Sequence, residues 1–197
     1  SRLADDLIRL ADRGCFNLHP SILPKFRGPE PIFWQMRAGV ELGVSWHKVV
    51  HEFDAGDLVV QATTMPDDGA SFGEITTQLA ELGAGLMPGL LDAIARDELT
   101  MTQQEAETAS YYPYPKRSDF IIDIAWSAQH AYNFMCATEV YGYPYLLRYG
   151  NYRYMLAKAL DFDNNLSPDA LQVQSDRLYI PCREGVLIAA YTDRIAV

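Results

Sequence analysis

Three polar side chains in the first part of this chain, Asn17, His19 and Asp54, are of the types that acyl transfer to an amine requires. Asn17 and His19 are two residues apart in an extended segment, so their side chains lie on the same face. Pro20 prevents this segment from continuing as a helix. Asp54 follows an apolar run in a glycine-containing turn, where a short acidic side chain can return toward the same space. We therefore expect an amide, an imidazole and a carboxylate to share one site.

The chemistry of these three groups is complementary. An amine that attacks a carbonyl carbon creates an oxyanion and releases a proton, so the site needs a hydrogen-bond donor and a base of near-neutral pKa. Asn17 can be the donor and His19 the base, while Asp54 on the other ring nitrogen would fix the tautomer and stabilise the imidazolium. Covalent catalysis by Ser21 is a weaker alternative, because Pro20 separates it from His19 and the chain has no Gly-x-Ser-x-Gly elbow.

A longer pattern surrounds these residues. It comprises the run from Asn17 to Gly28, the pair Pro31-Ile32, the segment Gly43-Val44-Ser45 and the segment from Asp54 to Leu58. The pattern resembles the folate-dependent formyltransferases, a family that includes methionyl-tRNA formyltransferases and sugar-nucleotide N-formyltransferases. The resemblance extends over residues 13–95, and the three chemical positions agree in type, order and spacing.

The resemblance implies a reaction and a set of site residues. A formyl group would move from N10-formyltetrahydrofolate to an amine, with Asn17, His19 and Asp54 as the catalytic set. The loop before the aspartate would bind the pterin ring largely through its backbone, which in this chain means Val50, His51, Glu52 and Phe53. The expected substrate-binding residues are Ser21, Lys25 and Arg27. The two cations could meet an acceptor phosphate or the folate glutamate tail, or could simply be solvated.

The charge balance bears on the acceptor. The chain carries a net charge of -10 and has a pI near 4.7, and residues 111–197 contain eight Lys plus Arg against nine Asp plus Glu. Binding to nucleic acid rests mainly on Lys and Arg contacts to phosphates. We therefore favour a small amine, such as an amino sugar, over methionyl-tRNA. Hydrolysis of formyltetrahydrofolate and a non-catalytic interaction module are the alternatives, and the oligomeric state is open.

Other features narrow the class of protein. Cys15, Cys136 and Cys182 are odd in number and widely separated, which predicts reduced, buried thiols of a cytoplasmic protein. His47 and His51 are four residues apart but have no acidic or cysteine partner at metal-ligand spacing, so we expect no metal site. No apolar run has the length of a membrane span, and we expect no contact with a membrane.

The elements of the first half must position the site. A helix is predicted over Ser1–Arg13, and the resemblance implies that an N-terminal half of the family's domain precedes it. The next predicted elements are a buried strand over Cys15–Leu18, a helix over Pro29–Ala38, a hairpin of Gly43–Val50 and Leu58–Thr64 with Asp54 near its tip, and a long helix. The long helix begins at a capping box, Ser71 to Glu74, and continues with apolar residues at every third or fourth position.

Composition changes after Thr100. Residues 101–118 are rich in Tyr, Pro, Gln and Glu and predict a linker. A helix over Ser127–Ala137 is expected next, followed by five short strands: Tyr145–Tyr149, Tyr152–Leu160, Leu171–Gln174, Leu178–Cys182 and Val186–Tyr191. The predicted fold class is α/β, with the C-terminal part of a Rossmann-like formyltransferase domain (1–100) followed, after the linker, by a small β-rich, OB-like domain (119–197).

Overall fold

Two units, each built on its own β-sheet, make up the chain. The computed structural model describes residue 8 and residues 10–196. The first unit contains the residues up to Pro66 together with Thr76–Tyr114, and the second contains Asp67–Ile75 and the residues from Pro115 onward. The described α-helices are Pro31–Ala38 (α1), Phe72–Ala95 (α2) and Ala128–Thr138 (α3).

The sheet of the first unit has the strand order β1-β2-β3 and is antiparallel throughout. Its strands are Phe16–His19 (β1), Leu42–Lys48 (β2) and Leu58–Thr64 (β3). The predicted hairpin is therefore confirmed, and Asp54 lies in the loop that joins its strands. Leu42 and Val44 of β2 and Ile32 and Phe33 of α1 are buried. Each such side chain contributes roughly 1.5–3 kcal/mol through burial, so the central strand and α1 provide a firm base for that loop.

The first strand differs from its prediction. The sequence predicted a buried strand over Cys15–Leu18, but in β1 only His19 is buried and Asn17 is exposed. The reason is that β1 lies at the edge of the described sheet, where it pairs only with β2. An edge strand keeps one side open, and this places Asn17 where a ligand can reach it.

Local interactions define the helix ends. In the capping box before α2, the Ser71 backbone N–H donates to the Glu74 carboxylate at 2.8 Å and the Glu74 N–H donates to the Ser71 hydroxyl at 3.3 Å. The α1 helix starts at Pro31 and ends at Gly39, which adopts the left-handed conformation that glycine allows. The helix predicted over Ser1–Arg13 falls largely outside the described residues, and residues 10–13 form a turn.

The second unit is a six-stranded sheet with α3 packed on it. Its strand order is β4-β5-β6-β9-β8-β7, in which only the β4-β5 pair is parallel. The strands are Ile121–Ile122 (β4), Tyr145–Tyr149 (β5), Tyr152–Asp163 (β6), Gln172–Gln174 (β7), Arg177–Pro181 (β8) and Val186–Ala196 (β9). The predicted helix, the five predicted strands and the β-rich character are confirmed. The two residues of β4 are too few to show a periodicity.

The segment after Thr100 is held against the first unit up to Tyr114. Thr102 and Leu58 exchange two backbone hydrogen bonds of 2.8 Å, and the Arg27 N–H donates to the Ser110 carbonyl at 2.9 Å. The linker over residues 101–118 and the domain limits on either side of it stay a prediction. The hydrogen bonds establish that residues 102–110 contact β3 and the loop before α1.

Candidate active site

Asn17 and His47 face each other across the β1-β2 pair. They are register partners, and the Asn17 amide nitrogen lies 3.3 Å from His47 Nε2. The His47 Nδ1 donates to the Lys48 carbonyl at 3.0 Å, because a carbonyl can only accept. A neutral His47 therefore presents its Nε2 lone pair to Asn17, whose amide nitrogen donates one of its two hydrogens. In the part of the chain that the structure describes, the second N–H of Asn17 donates to no other protein atom, so it can meet a bound group.

His19 is almost completely buried, with 4% of its surface exposed. Its Nε2 lies 3.0 Å from the Phe26 carbonyl oxygen, and its Nδ1 lies 3.5 Å from an Asp54 carboxylate oxygen. The carbonyl accepts, so Nε2 carries a hydrogen. In the neutral ring Nδ1 is then the basic nitrogen, and it faces Asp54.

Asp54 is fixed from two sides. Its Oδ2 accepts from the Gly28 backbone N–H at 2.9 Å, and its backbone carbonyl accepts from the Gln104 side chain at 2.8 Å. Its φ of 53° lies in the left-handed region, which an aspartate tolerates better than most residues. Gly56 closes the turn against the Lys48 carbonyl so tightly that a β-carbon there would collide with it. The carboxylate is thus held beside both His19 and His47, the latter at 3.9 Å.

The loop before α1 supports His19 through its backbone. Phe26 has a φ of 59°, an unfavourable conformation for an aromatic residue, and its N–H donates to the Ser110 hydroxyl at 2.9 Å. Ser21 is fully buried and its hydroxyl donates to the Lys25 carbonyl at 2.9 Å. These bonds aim the Phe26 carbonyl at the imidazole.

Burial shapes the electrostatics of His47. It lowers the pKa of this imidazole, and the positive charge of Arg27, together with that of His19 whenever that ring is protonated, acts in the same direction. The bond to the Lys48 carbonyl and the charge of Asp54 oppose the shift without cancelling it. His47 is therefore neutral at physiological pH, the state in which its Nε2 can accept from Asn17.

Two cavities meet at the loop that carries Asp54. The first, of about 240 Å³, is lined by Ile8, Phe16, Asn17, His47, Val49, Val50, His51, Glu52, Phe53 and Asp54. All four residues predicted to bind the cofactor are therefore in its wall. The second, of about 420 Å³, shares Phe53 and Asp54 with the first and is otherwise lined by Gly28, Pro29, Tyr111, Pro113 and Tyr114.

The structure brings some predicted site residues together and leaves others apart. Asn17, His19 and Asp54 form one cluster. The Arg27 guanidinium instead donates to the Gln104 side-chain oxygen at 2.6 and 3.1 Å. Ser21 is fully buried, Lys25 is exposed, and the walls of the two cavities do not include them. The roles of all these residues as substrate contacts stay a prediction.

Two members of the cluster were missing from the sequence prediction. His47 was judged only as a metal ligand, and the Phe26 carbonyl has no side-chain signature at all. The sequence carries only a weak signal for His47, because Ser45 and Lys48 are also polar residues of the same predicted strand. The part of the chain that the structure describes contains no cluster of His, Cys, Asp and Glu suited to a metal ion, and none of its helices is long and apolar enough to cross a membrane.

Sequence comparison shows which known proteins this chain resembles. The family model described as formyl transferase matches residues 2–91. The methionyl-tRNA formyltransferase of Moorella thermoacetica is 33% identical over 196 residues, which are 99% of this chain and 61% of that protein. The enzyme of the same name from Thermotoga maritima is 32% identical over 132 residues, 66% of this chain and 42% of that protein. The chain thus spans less than two thirds of the length of these relatives.

Comparison with solved structures shows which known proteins have a similar fold. The N-formyltransferase of Helicobacter canadensis, determined with folinic acid and dTDP-3-aminofucose, matches 89% of this chain and 65% of its own with a TM-score of 0.65 at 18% identity. A methionyl-tRNA formyltransferase from Clostridium thermocellum matches 93% of this chain and 70% of its own with a TM-score of 0.51 at 16% identity. At these identities the likeness concerns the fold, and it confirms the predicted α/β fold with a β-rich C-terminal part.

Proposed function

We propose that this chain is part of a formyltransferase, as its match to the formyl transferase model over residues 2–91 indicates, and that the whole protein transfers a formyl group from N10-formyltetrahydrofolate to a primary amine. The observation that carries the proposal is the cluster of Asn17, His19 and Asp54, in which Asp54 lies beside the other two although it is more than thirty residues away from them in the chain. His47 joins Asn17 to Asp54 within this cluster. An oxyanion donor, a base and a carboxylate are the groups that this reaction needs.

The first cavity is the proposed site for the pterin and its formyl group. Val50, His51, Glu52 and Phe53 line it along one continuous stretch of backbone, and Asn17 and Asp54 line it beside them. The pterin ring has several hydrogen-bond donors and acceptors, which the backbone N–H and C=O groups of this stretch can bind. Relatives with this fold were solved with folinic acid or with formyltetrahydrofolate, which supports the choice of co-substrate.

Asn17 is the proposed oxyanion donor. When the amine nitrogen attacks the formyl carbon, negative charge develops on the formyl oxygen. The Asn17 amide nitrogen is held by His47 Nε2 at 3.3 Å, so its second N–H can point at that oxygen without reorganisation. His47 then acts as a positioning residue, since it orients the amide without touching the reacting atoms.

His19 is the proposed base. The Phe26 carbonyl holds the hydrogen on Nε2, which leaves the Nδ1 lone pair to take the proton that the attacking amine loses. The resulting imidazolium would pair with Asp54, whose carboxylate oxygen is 3.5 Å from Nδ1. The bond between the formyl carbon and N10 then breaks, and His19 returns the proton to the departing tetrahydrofolate nitrogen. In this account the Phe26 carbonyl, and not Asp54, fixes the tautomer.

A small amine remains the favoured acceptor in this proposal. The net charge of -10 disfavours binding of this chain to the phosphates of a tRNA. The curated relatives are named for methionyl-tRNA, whereas a solved relative of the same fold holds an amino-sugar nucleotide. The free thiols, with the pKa of Cys182 raised to about 11 by burial, fit the reducing cytoplasm that we also propose.

The test is an assay of the intact protein with formyltetrahydrofolate, with and without candidate amines. We expect release of tetrahydrofolate to require the amine and to match formamide formation mole for mole. Release at the same rate without any amine would instead identify a formyltetrahydrofolate hydrolase, with water in the place of the amine. Absence of both products would contradict the proposal.

A further inference from the structure

The second cavity lies on the other side of the loop that carries Phe53 and Asp54. Its volume of about 420 Å³ is within the range of small-ligand sites. Among the described residues, Phe53 and Asp54 line both cavities, so a group bound in either one is next to Asp54. A transferase with two substrates needs this geometry.

The walls of the second cavity are aromatic. The exposed fractions of Phe53, Tyr111 and Tyr114 are 55%, 58% and 66%, which is unusual for large rings grouped around one space. None of the described residues that line it is Lys or Arg, and Asp54 is its only carboxylate. Aromatic faces and a carboxylate attract a cation and offer nothing to a phosphate.

The tyrosines of this wall stand on an ordered segment. Tyr112 is stacked between Phe26 and Trp34, with ring centroids 5.6 and 4.8 Å away, and its N–H donates to the Arg27 carbonyl at 2.9 Å. The Trp34 indole N–H donates to the Pro113 carbonyl at 2.9 Å. The backbone on both sides of Tyr112 is thus fixed, and Tyr111 and Tyr114 are presented to the cavity with little ordering left to do on binding.

We propose that the second cavity is the acceptor subsite and that it takes a primary ammonium carried on a single uncharged ring, such as an amino sugar without a phosphate at this point. The ring packs on Tyr111 and Tyr114, and the ammonium lies at Asp54. The ammonium first releases one proton to solvent, the resulting amine attacks the formyl carbon, and the proton lost on attack goes to His19 as above. This inference rests on the proposed function and makes the two tyrosines determinants of acceptor specificity.

The test is calorimetric titration of the intact protein with the methyl glycoside of glucosamine. Tyr111→Ala and Tyr114→Ala should each weaken binding by about tenfold, the amount expected for one lost stacking contact. Tyr111→Phe and Tyr114→Phe keep the rings and should stay within about twofold of the parent. Tyr152→Ala, an exposed tyrosine of the second unit, is the matched control and should bind as the parent does.

Two further ligands test the charge argument. Methyl glucoside, which lacks the ammonium, should bind at least about tenfold more weakly than the amine. Uridine diphosphate should not displace the amino glycoside. Equal binding by the alanine variants, displacement by the nucleotide, or no binding of the amino glycoside to the parent would each overturn the proposal.

Titration with folinic acid separates this inference from the proposed function. The tyrosine variants should bind folinic acid like the parent, since neither tyrosine lines the first cavity. Folinic acid binding without glycoside binding would reject the acceptor subsite alone. Glycoside binding without any folinic acid binding would count against the formyl-transfer proposal.

Discussion

The Asn17 amide nitrogen and His47 Nε2, 3.3 Å apart, join the edge strand to the central strand of the first sheet. The bond requires a neutral His47, because Nε2 of a protonated ring carries a hydrogen and cannot accept from the Asn17 amide N–H. Burial lowers the pKa of His47 and so preserves that neutral state. The orientation of the proposed oxyanion donor therefore depends on a histidine that takes no part in the bond-making steps.

Removal of the proposed donor or base should reduce turnover sharply. Asn17→Ala and His19→Ala should each lower the turnover of the intact protein by at least about 100-fold, the scale of losing an oxyanion donor or a general base. The measurement is the rate of formamide formation, with circular dichroism to show that each variant folds. Lys158→Ala, at an exposed residue of the second unit, is the control and should retain nearly full turnover. A folded variant with parental activity would contradict the role assigned to that residue.

Replacement of Asp54 by asparagine separates charge from position. The amide oxygen of Asp54→Asn can still accept from the Gly28 N–H, so the turn should keep its conformation. The neutral amide no longer stabilises an imidazolium at His19, and we expect turnover to fall by about 100-fold or more while folinic acid binding changes little. Asp57→Asn, three residues away in the same loop, should leave the rate nearly unchanged. Equal losses in the two variants would show that Asp54 has no special electrostatic role.

Protonation of His47 should make the fold sensitive to mild acid. The pKa of His47 is lowered from 6.5 in the folded chain, so below pH 6.5 the unfolded chain binds a proton that the folded chain does not. The free energy of unfolding should therefore be highest above pH 6.5 and fall as the pH drops below that value, with a slope of up to about 1.4 kcal/mol per pH unit. The other charged groups that face the ring, His19, Asp54 and Arg27, are the same in the parent and in a His47→Asn variant.

The measurement is urea unfolding of parent and His47→Asn at several pH values in that window. The variant should show a shallower pH dependence, because the group that gains the proton on unfolding is gone. The amide nitrogen introduced by His47→Asn can take the place of Nδ1 and donate to the Lys48 carbonyl, so a folded variant is expected. Parallel pH profiles of the two proteins would show that the burial of His47 does not govern the acid response.

The sequence predicted those parts of the site that depend on neighbouring residues, and it missed those that depend on strand pairing. Asn17 and His19 were predicted because a two-residue spacing in a strand is a local property. The partnership of Asn17 with His47 depends on the β1-β2 register, and a register shift at His47 in the next strand pair also re-aims its side chain. Such pairing is a tertiary property that no short window of sequence contains.

The sequence also did not predict that a residue distant in the chain holds the loop that carries Asp54. Gln104 lies in a segment whose Tyr, Pro and Glu content predicted a linker, yet its side chain accepts from Arg27 and donates to the carbonyls of Asp54 and Gly56. The composition of a segment indicates whether it can form a hydrophobic core of its own. It does not indicate that one buried residue, Gln104, forms hydrogen bonds with both Arg27 and the loop that carries Asp54.

Tyr145 offers a test of the second unit on its own. Its hydroxyl donates to the Met135 carbonyl at 2.8 Å and contacts the Thr138 hydroxyl at 2.9 Å, all in a buried setting that raises the pKa of the phenol. Tyr145→Phe leaves the Met135 carbonyl without this donor, so the free energy of unfolding should fall by about 1–3 kcal/mol. Tyr143→Phe, at an exposed neighbour, should change it by less than about 0.5 kcal/mol. Urea unfolding followed by tyrosine fluorescence measures both, and equal effects of the two variants would show that the buried hydroxyl contributes no net stability.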